Sequence, residues 1–232
     1  MKFVSVDILF GWLSACLSIF IFITSIKISV SSFRVKGKYK TIPFYMRLEN
    51  ILNYFVCSSW LIYSYISNNK HLFVSNLIGA IFFFLWIIFI YLIYFRTINC
   101  FKYLIFILLA FIYIPFILFL FGFSEKIGGP VCVAFNIISF YPSILIIKEV
   151  ITTKNYRLIK IKLNLLKLLA NLCWFIYGFI IINLNIVIPN VIGFIITFAS
   201  AFFWNVFNKK SGSEKLSNRS VEVMRNRAEY TI

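Results

Sequence analysis

Long runs of apolar residues, separated by short polar segments, dominate this 232-residue chain. Seven such runs lie near residues 6–30, 44–65, 72–95, 103–121, 131–150, 163–183 and 187–207. Runs of about 18 or more apolar residues are typical of helices that span a membrane. The runs are continuous and do not alternate polar with apolar positions, as the wall of a membrane β-barrel would. The pattern predicts an all-α integral membrane protein with seven transmembrane helices, named spans 1 to 7 in chain order.

The charged residues indicate how these spans are oriented. The net charge is +16, although only 13% of the residues are charged. Lys and Arg are concentrated between spans 1 and 2, between spans 3 and 4, between spans 5 and 6, and after span 7. Because cytoplasmic segments carry the excess of Lys and Arg, the N-terminus is expected outside and the basic tail in the cytosol. The basic surface is expected to face membrane lipids rather than nucleic acid. The expected location is the plasma membrane, with an internal membrane as the alternative.

Catalytic and metal-binding groups are not predicted within the spans. The five cysteines show no metal-binding spacing. Asp7, Glu49, Glu125 and Glu149 all lie near span ends. Proton-coupled and ion-coupled sites usually need a carboxylate inside the membrane, so the sequence predicts uncoupled movement of a solute. No cofactor is expected, and an enzyme is disfavoured because no nucleophile–base or metal constellation is recognised.

Two segments of the chain match without a gap at an offset of 114 residues, as from Trp60 to Trp174. They are WLIYSYISNNKHLFVSNLIG (60–79) and WFIYGFIIINLNIVIPNVIG (174–193). The matched pairs are Trp60 with Trp174, Tyr63 with Tyr177, Asn76 with Asn190, and Gly79 with Gly193. Spans 2–3 therefore correspond to spans 6–7, and an even shift of four spans keeps both copies in the same direction. We predict two parallel three-helix repeats joined by a linker helix, a 3+1+3 arrangement.

This arrangement divides the chain into four parts. The first triple-helix bundle is predicted at 5–95 and the linker helix with its loops at 96–128. The second bundle is predicted at 129–208 and the basic cytosolic tail at 209–232.

The matched tryptophans and asparagines predict a binding pocket between the repeats. Each Trp precedes the turn between its two helices by about six residues and each Asn follows it by about five, so both lie on the order of 8 Å below that turn. An Asn amide offers two donors and two acceptors, which suits a vicinal diol. A Trp face can stack on the apolar face of a sugar ring. Trp60, Trp174, Asn76 and Asn190 are therefore predicted to bind a neutral polyhydroxy solute.

Glycines and prolines in the spans predict local helix geometry. Gly79 and Gly193 lie three residues after the asparagines and permit close approach of neighbouring helices. Pro142 predicts a kink inside span 5, because proline lacks the donor of a helical hydrogen bond. Pro189 is predicted in the first turn of span 7, where that donor is not needed.

The chain resembles the SWEET family of sugar transporters over roughly residues 5–207. The most specific motifs are WFIYG (174–178), IPNVIG (188–193) and FNIISFYPSILIIKEVITTKN (135–155). The resemblance implies a facilitative, bidirectional uniporter of mono- or disaccharides that works by alternating access. Self-association into a homo-oligomer is left open.

The resemblance also implies roles for individual residues. Asn76, Asn190 and Trp174 match the residues that line the family's sugar pocket. The partner of Trp174 in the first repeat is left open between Trp60, Ser58 and Tyr54. The residues assigned to hinges or gates are Pro142, Pro43, Pro189, Tyr63 and Tyr177.

Two other membrane-protein classes share parts of this layout. A PQ-loop exporter of amino acids or organic solutes has the same architecture, but it predicts Pro-Gln dipeptides and an intramembrane carboxylate. A seven-helix receptor shares the expected topology, but it gives no reason for a gapless internal repeat. The repeat favours the transporter.

Overall fold

The computed structural model describes residues 5–34, 43–94, 109, 113 and 124–229. The helices are α1 (Val6–Arg34), α2 (Phe44–Ile66), α3 (Lys70–Tyr94), α4 (Glu125–Ser139), α5 (Tyr141–Thr153), α6 (Ile161–Ile180) and α7 (Leu184–Glu229). A 3-10 turn at Tyr156–Leu158 connects α5 to α6, and the described residues contain no strand. The predicted all-α fold class is confirmed. Span 4, predicted at 103–121, lies outside the described residues apart from Leu109 and Tyr113.

Five segments are long and apolar enough to cross a membrane. They cover 6–31, 70–90, 125–153, 161–180 and 184–209. The helix α2 is not among them, because Arg47, Glu49 and several Asn and Ser residues make it more polar. Large apolar side chains point outward, and Phe20, for example, is 61% exposed. A water-facing surface would not carry so many exposed apolar groups, so the chain is a multi-pass integral membrane protein.

The helices pack as two similar bundles. In the first bundle α3 packs against both α1 and α2. In the second bundle α7 packs against α6 and against span 5, which consists of α4 and α5. Between the bundles, α1 packs against α6 while α2 packs against span 5. Each bundle therefore offers its first and second spans to the other, which encloses a space between them.

The turns after α2 and α6 have the same backbone structure. Asn68 has a φ of 50° and Ile182, at the matching position, has a φ of 54°. A backbone hydrogen bond across each turn also matches: Asn69 N donates to Ser64 O at 2.9 Å, and Asn183 N donates to Gly178 O at 2.8 Å. A left-handed residue that follows a helix and closes its last turn is a common C-terminal cap. The internal match seen in the sequence thus extends to backbone detail.

Pro142 marks a break in span 5. The helix α4 ends at Ser139, and α5 begins at Tyr141 with Pro142 in its first turn. Proline has no N–H for the preceding turn and is tolerated where a helix starts. The span is therefore two helices joined at Phe140. Pro43, in turn, immediately precedes α2 and caps its start.

Pro189 does not lie where the sequence places it. The helix α7 begins at Leu184, so Pro189 is its sixth residue and lies inside the helix. The early start has a local cause, because the Asn183 side-chain carbonyl accepts the Asn185 N–H at 3.1 Å. A side-chain oxygen in this position satisfies a donor at a helix N-terminus and fixes the start there. The prediction of a first-turn proline is wrong.

The last helix is longer than predicted. The helix α7 continues from Leu184 to Glu229, whereas the apolar run of span 7 ends near 207. Most of the basic segment predicted as a tail at 209–232 is therefore helical.

Candidate functional site

A cavity of about 190 Å³ lies between the two bundles. Trp60, Asn76, Trp174 and Asn190 all line it, so the structure brings the four matched residues together. Two come from α2 and α3 of the first repeat, and two from α6 and α7 of the second. Polar side chains that converge in an otherwise apolar recess are typical of small-molecule sites.

The two asparagines are held in the same way. Asn76 Nδ2 donates to the carbonyl of Leu72 at 2.8 Å, and Asn190 Nδ2 donates to the carbonyl of Ile186 at 2.6 Å. Each bond spans one helical turn, which fixes the side-chain orientation. Because an amide has two donor hydrogens and two acceptor sites, each Asn keeps one hydrogen and its oxygen for a ligand. Among the described residues, none donates to either side-chain oxygen.

The two tryptophans are also equivalent. Trp60 meets Tyr63 edge-on with ring centroids 5.5 Å apart, and Trp174 meets Tyr177 edge-on at 5.6 Å. Edge-to-face packing of this kind fixes the planes of both rings. The Trp174 indole N–H additionally donates to the Ser18 hydroxyl at 2.9 Å, which anchors it to α1.

The two glycines lie against the helices that carry the tryptophans. A Cβ atom on Gly79 would lie 2.7 Å from Cys57 Sγ on α2, and one on Gly193 would lie 2.9 Å from Asn171 Nδ2 on α6. Cys57 and Asn171 occupy matching positions of the repeat. Both distances are shorter than a real Cβ contact, so a larger residue at either position would require the neighbouring side chain to shift.

Crossed hydrogen bonds join the two repeats at the turns after α2 and α6. Asn183 Nδ2 donates to the Tyr63 hydroxyl at 3.0 Å, and Asn69 Nδ2 donates to the Tyr177 hydroxyl at 2.9 Å. Each tyrosine of one repeat is thus held by the α–α turn of the other repeat. Both turns must lie at the same end of the molecule, so α2 and α6 run in the same direction. This is the parallel arrangement that the even spacing predicts.

A second contact reinforces each tyrosine. Asn185 Nδ2 lies 3.4 Å from the Tyr63 hydroxyl, and His71 Nδ1 lies 3.3 Å from the Tyr177 hydroxyl. His71 and Asn185 also occupy matching positions of the repeat.

Of the three candidates for the first-repeat partner of Trp174, only one lines the cavity. Trp60 lines the cavity. Ser58 is fully buried and Tyr54 is 4% exposed in the core of the first bundle, and neither lines the cavity.

The cavity is also lined by polar residues that the sequence analysis does not single out. They are Ser18, Asn53, Ser75, Asn136, Ser139, Ser143, Asn171 and Thr197. Asn171 lies three residues before Trp174, so both project from the same helical face. That spacing is a signal available in the sequence, whereas Asn136 has no match at the repeat offset.

A charged pair in the cavity wall corrects a sequence expectation. Glu49 is the sixth residue of α2, yet its carboxylate lines the cavity and is bound by the ammonium of Lys167 on α6. Glu49 lies near the start of α2 as predicted, but it reaches the cavity, so the expectation of a site without carboxylates is wrong. The reason is side-chain reach, because both residues lie more than a turn inside their helices and extend toward the same space. No group of three or more His, Cys, Asp or Glu that could hold a metal lies among the described residues.

Comparison with known proteins, by sequence and by structure, finds similarity to sugar transporters. Residues 126–212 match the model of a family described as "Sugar efflux transporter for intercellular exchange". The chain is 24% identical to the bidirectional sugar transporter SWEET10 of Arabidopsis thaliana, over 92% of this chain and 75% of that protein. It is 36% identical to SWEET13 of Oryza sativa subsp. japonica, over 28% of this chain and 22% of that protein. The predicted resemblance to the SWEET family is confirmed.

A solved structure of a eukaryotic SWEET transporter shares the fold. The TM-score is 0.74 with 15% identity, and the match covers 88% of this chain and all of that one. This chain therefore shares the fold of that SWEET transporter although most of their aligned residues differ.

Proposed function

We propose that this protein is a facilitative, bidirectional sugar transporter that works by alternating access. One observation carries the proposal: an amide and an indole from each repeat line a single cavity between the two bundles. The relatives named as bidirectional sugar transporters support it.

The cavity chemistry suits a sugar. Asn76 and Asn190 each keep donor and acceptor capacity that matches adjacent hydroxyl groups. Trp60 and Trp174 offer apolar faces for the C–H side of a ring. The substrate class we propose is a neutral mono- or disaccharide.

Alternating access requires that the two ends of the cavity open in turn. The crossed bonds of Tyr63 and Tyr177 form the closure at the end of the α2–α3 and α6–α7 turns. From the distribution of Lys and Arg we place this end outside the cell and the C-terminal tail in the cytosol, most simply in the plasma membrane.

The exporter alternative gains one argument from Glu49, since it predicts an intramembrane carboxylate. The pairing weakens that argument, because the carboxylate of Glu49 already has the ammonium of Lys167 as its partner. The Pro-Gln dipeptides that the alternative predicts do not occur in this sequence.

Uptake of radiolabelled glucose, fructose and sucrose tests the proposal, in cells that lack their own sugar carriers. We expect uptake of at least one sugar above that of cells without the protein. Trp174→Ala should lose this uptake because it removes an indole face from the cavity. Trp204→Ala, which alters a tryptophan that packs against Tyr156 away from the cavity, should keep it.

The same cells test whether transport is uncoupled. Sugar should equilibrate but not accumulate, and a protonophore should leave the initial rate unchanged. Accumulation that the protonophore abolishes would support the exporter-like, proton-coupled alternative.

A further inference from the structure

The pair formed by Glu49 and Lys167 joins the two repeats. Glu49 belongs to α2 of the first repeat and Lys167 to α6 of the second. Their side chains are 13% and 23% exposed. An ion pair in such a position resists separation, because each charge would need a new partner or water.

The pair lies between two cavities. Beside the central cavity there is a second one of about 60 Å³, which we call the vestibule. The vestibule is lined by Tyr45 and Met46 at the start of α2 and by Ile159 and Lys160 just before α6. It therefore lies at the end opposite the tyrosine closure. Glu49, Ser143 and Lys167 line both cavities, so these three side chains form the partition between them.

The internal repeat does not explain the pair. At the offset of 114 residues Glu49 corresponds to Leu163, and Lys167 corresponds to Asn53. The tyrosine closure is built twice, once from each repeat, whereas this charge pair is built once. A contact needed only to hold the shared architecture would be expected in both copies.

The neighbouring amide of Asn50 does not depend on the pair for its hydrogen bonds. Asn50, one residue after Glu49, accepts from the Ser25 hydroxyl at 3.1 Å and donates to the Ser29 hydroxyl at 3.0 Å. These bonds stay within the first repeat. The ion pair can therefore separate without breaking the hydrogen bonds of Asn50.

We propose that the Glu49–Lys167 pair is the gate between the central cavity and the vestibule on the side of the C-terminal tail. The gate opens when α2 and α6 move apart at this end, which lets water from the vestibule hydrate both charges. A passing sugar would meet a donor and an acceptor there, and this last point rests on the proposed function. The gating itself does not depend on which solute passes.

Thiol labelling of Ser139→Cys tests the gate. Ser139 lines the central cavity and not the vestibule. The background has Cys16, Cys57, Cys100, Cys132 and Cys173 replaced by Ser. The protein is reconstituted in vesicles, and a membrane-impermeant maleimide is added from the side of the C-terminal tail.

The double variant Glu49→Gln/Lys167→Met should be labelled about tenfold faster, which corresponds to about 1.4 kcal/mol in the opening equilibrium. The reversed pair Glu49→Lys/Lys167→Glu should be labelled at nearly the original rate because it restores the attraction. The control Glu149→Gln removes an exposed carboxylate from α5 and should have no effect. If the double variant does not insert into membranes, Glu49→Asp, which shortens the acid, replaces it.

Equal labelling rates in the original and the double variant would overturn the gate. Fast labelling of the reversed pair would overturn it as well, since it would show that charge attraction is not what closes the partition. Because the assay needs no sugar, a failure of sugar uptake would leave its result intact.

Discussion

At the scale of single residues, the asparagines show how one amide is divided between structure and ligand. Asn76 and Asn190 each give one hydrogen to the backbone carbonyl one turn earlier. The rest of the amide faces the cavity in a fixed direction. Preorganised polar groups lose little freedom when they bind, so more of each hydrogen bond contributes to affinity.

Removal of one amide should weaken transport strongly. Asn190→Ala and Asn76→Ala should each reduce the affinity for sugar about tenfold or more, because one hydrogen bond in a dry site contributes roughly 1–3 kcal/mol. Expression and membrane insertion should be unchanged. Concentration-dependent uptake measures the effect.

Asn205→Ala is the matched control for these two variants. Asn205 lies on an exposed face of the same helix as Asn190 and does not line the cavity. Its uptake should be close to that of the original protein. Normal affinity in Asn190→Ala would mean that this amide serves helix packing and not the sugar.

The tryptophans and asparagines of the cavity could be predicted from the sequence because the same residue types occur at matching positions of both copies. The pairs Trp60–Trp174 and Asn76–Asn190 stand out against a background of Phe and Ile. Glu49 and Lys167 have no identical residue in the other copy, since they match Leu163 and Asn53. Their meeting depends on side-chain reach across a helix interface, which neither spacing nor periodicity records.

At the scale of elements, the break at Pro142 distinguishes span 5 from the other spans. Two short helices, α4 and α5, meet at Phe140, whose backbone is not part of either. The sequence predicts this kink because proline disrupts the helical ladder. It does not predict the start of α7, where the cap by Asn183 outweighs the preference of Pro189 for a first turn.

Pro142→Ala should join α4 and α5 into one straighter helix. Alanine restores an N–H donor to the buried break, so we expect unchanged or higher thermal stability together with slower sugar uptake. Both quantities are measured on the same preparation. Pro130→Ala, which alters an exposed proline inside α4, should leave uptake unchanged. Faster uptake in Pro142→Ala would contradict a hinge at this position.

At the scale of the whole molecule, the internal match at an offset of 114 residues predicts most of the architecture. It predicts two parallel bundles, and the crossed tyrosine bonds show both turns at one end. The match predicts this packing because helices with matching sequences bury matching faces. The continuation of α7 to Glu229 could not be predicted in this way, because that segment has neither an apolar stripe nor a counterpart in the first repeat.

Topology can be tested on the complete chain. The alternation of Lys- and Arg-rich segments predicts that a tag placed after Ile232 is inaccessible in intact cells and becomes accessible after permeabilisation. An antibody against the tag, applied before and after permeabilisation, measures this. Labelling of the tag in intact cells would reverse the orientation and place the tyrosine closure in the cytosol.

The crossed tyrosine bonds also make residues in the two halves of the chain depend on each other. A change at Tyr63 is felt at Asn183 and Asn185, more than 100 residues away, and a change at Tyr177 is felt at Asn69 and His71. A substitution in one half at these positions therefore alters a contact made by the other half. At the matching positions 185 and 71, Asn and His both place a nitrogen within reach of the tyrosine of the other repeat, so the contact does not require one residue type.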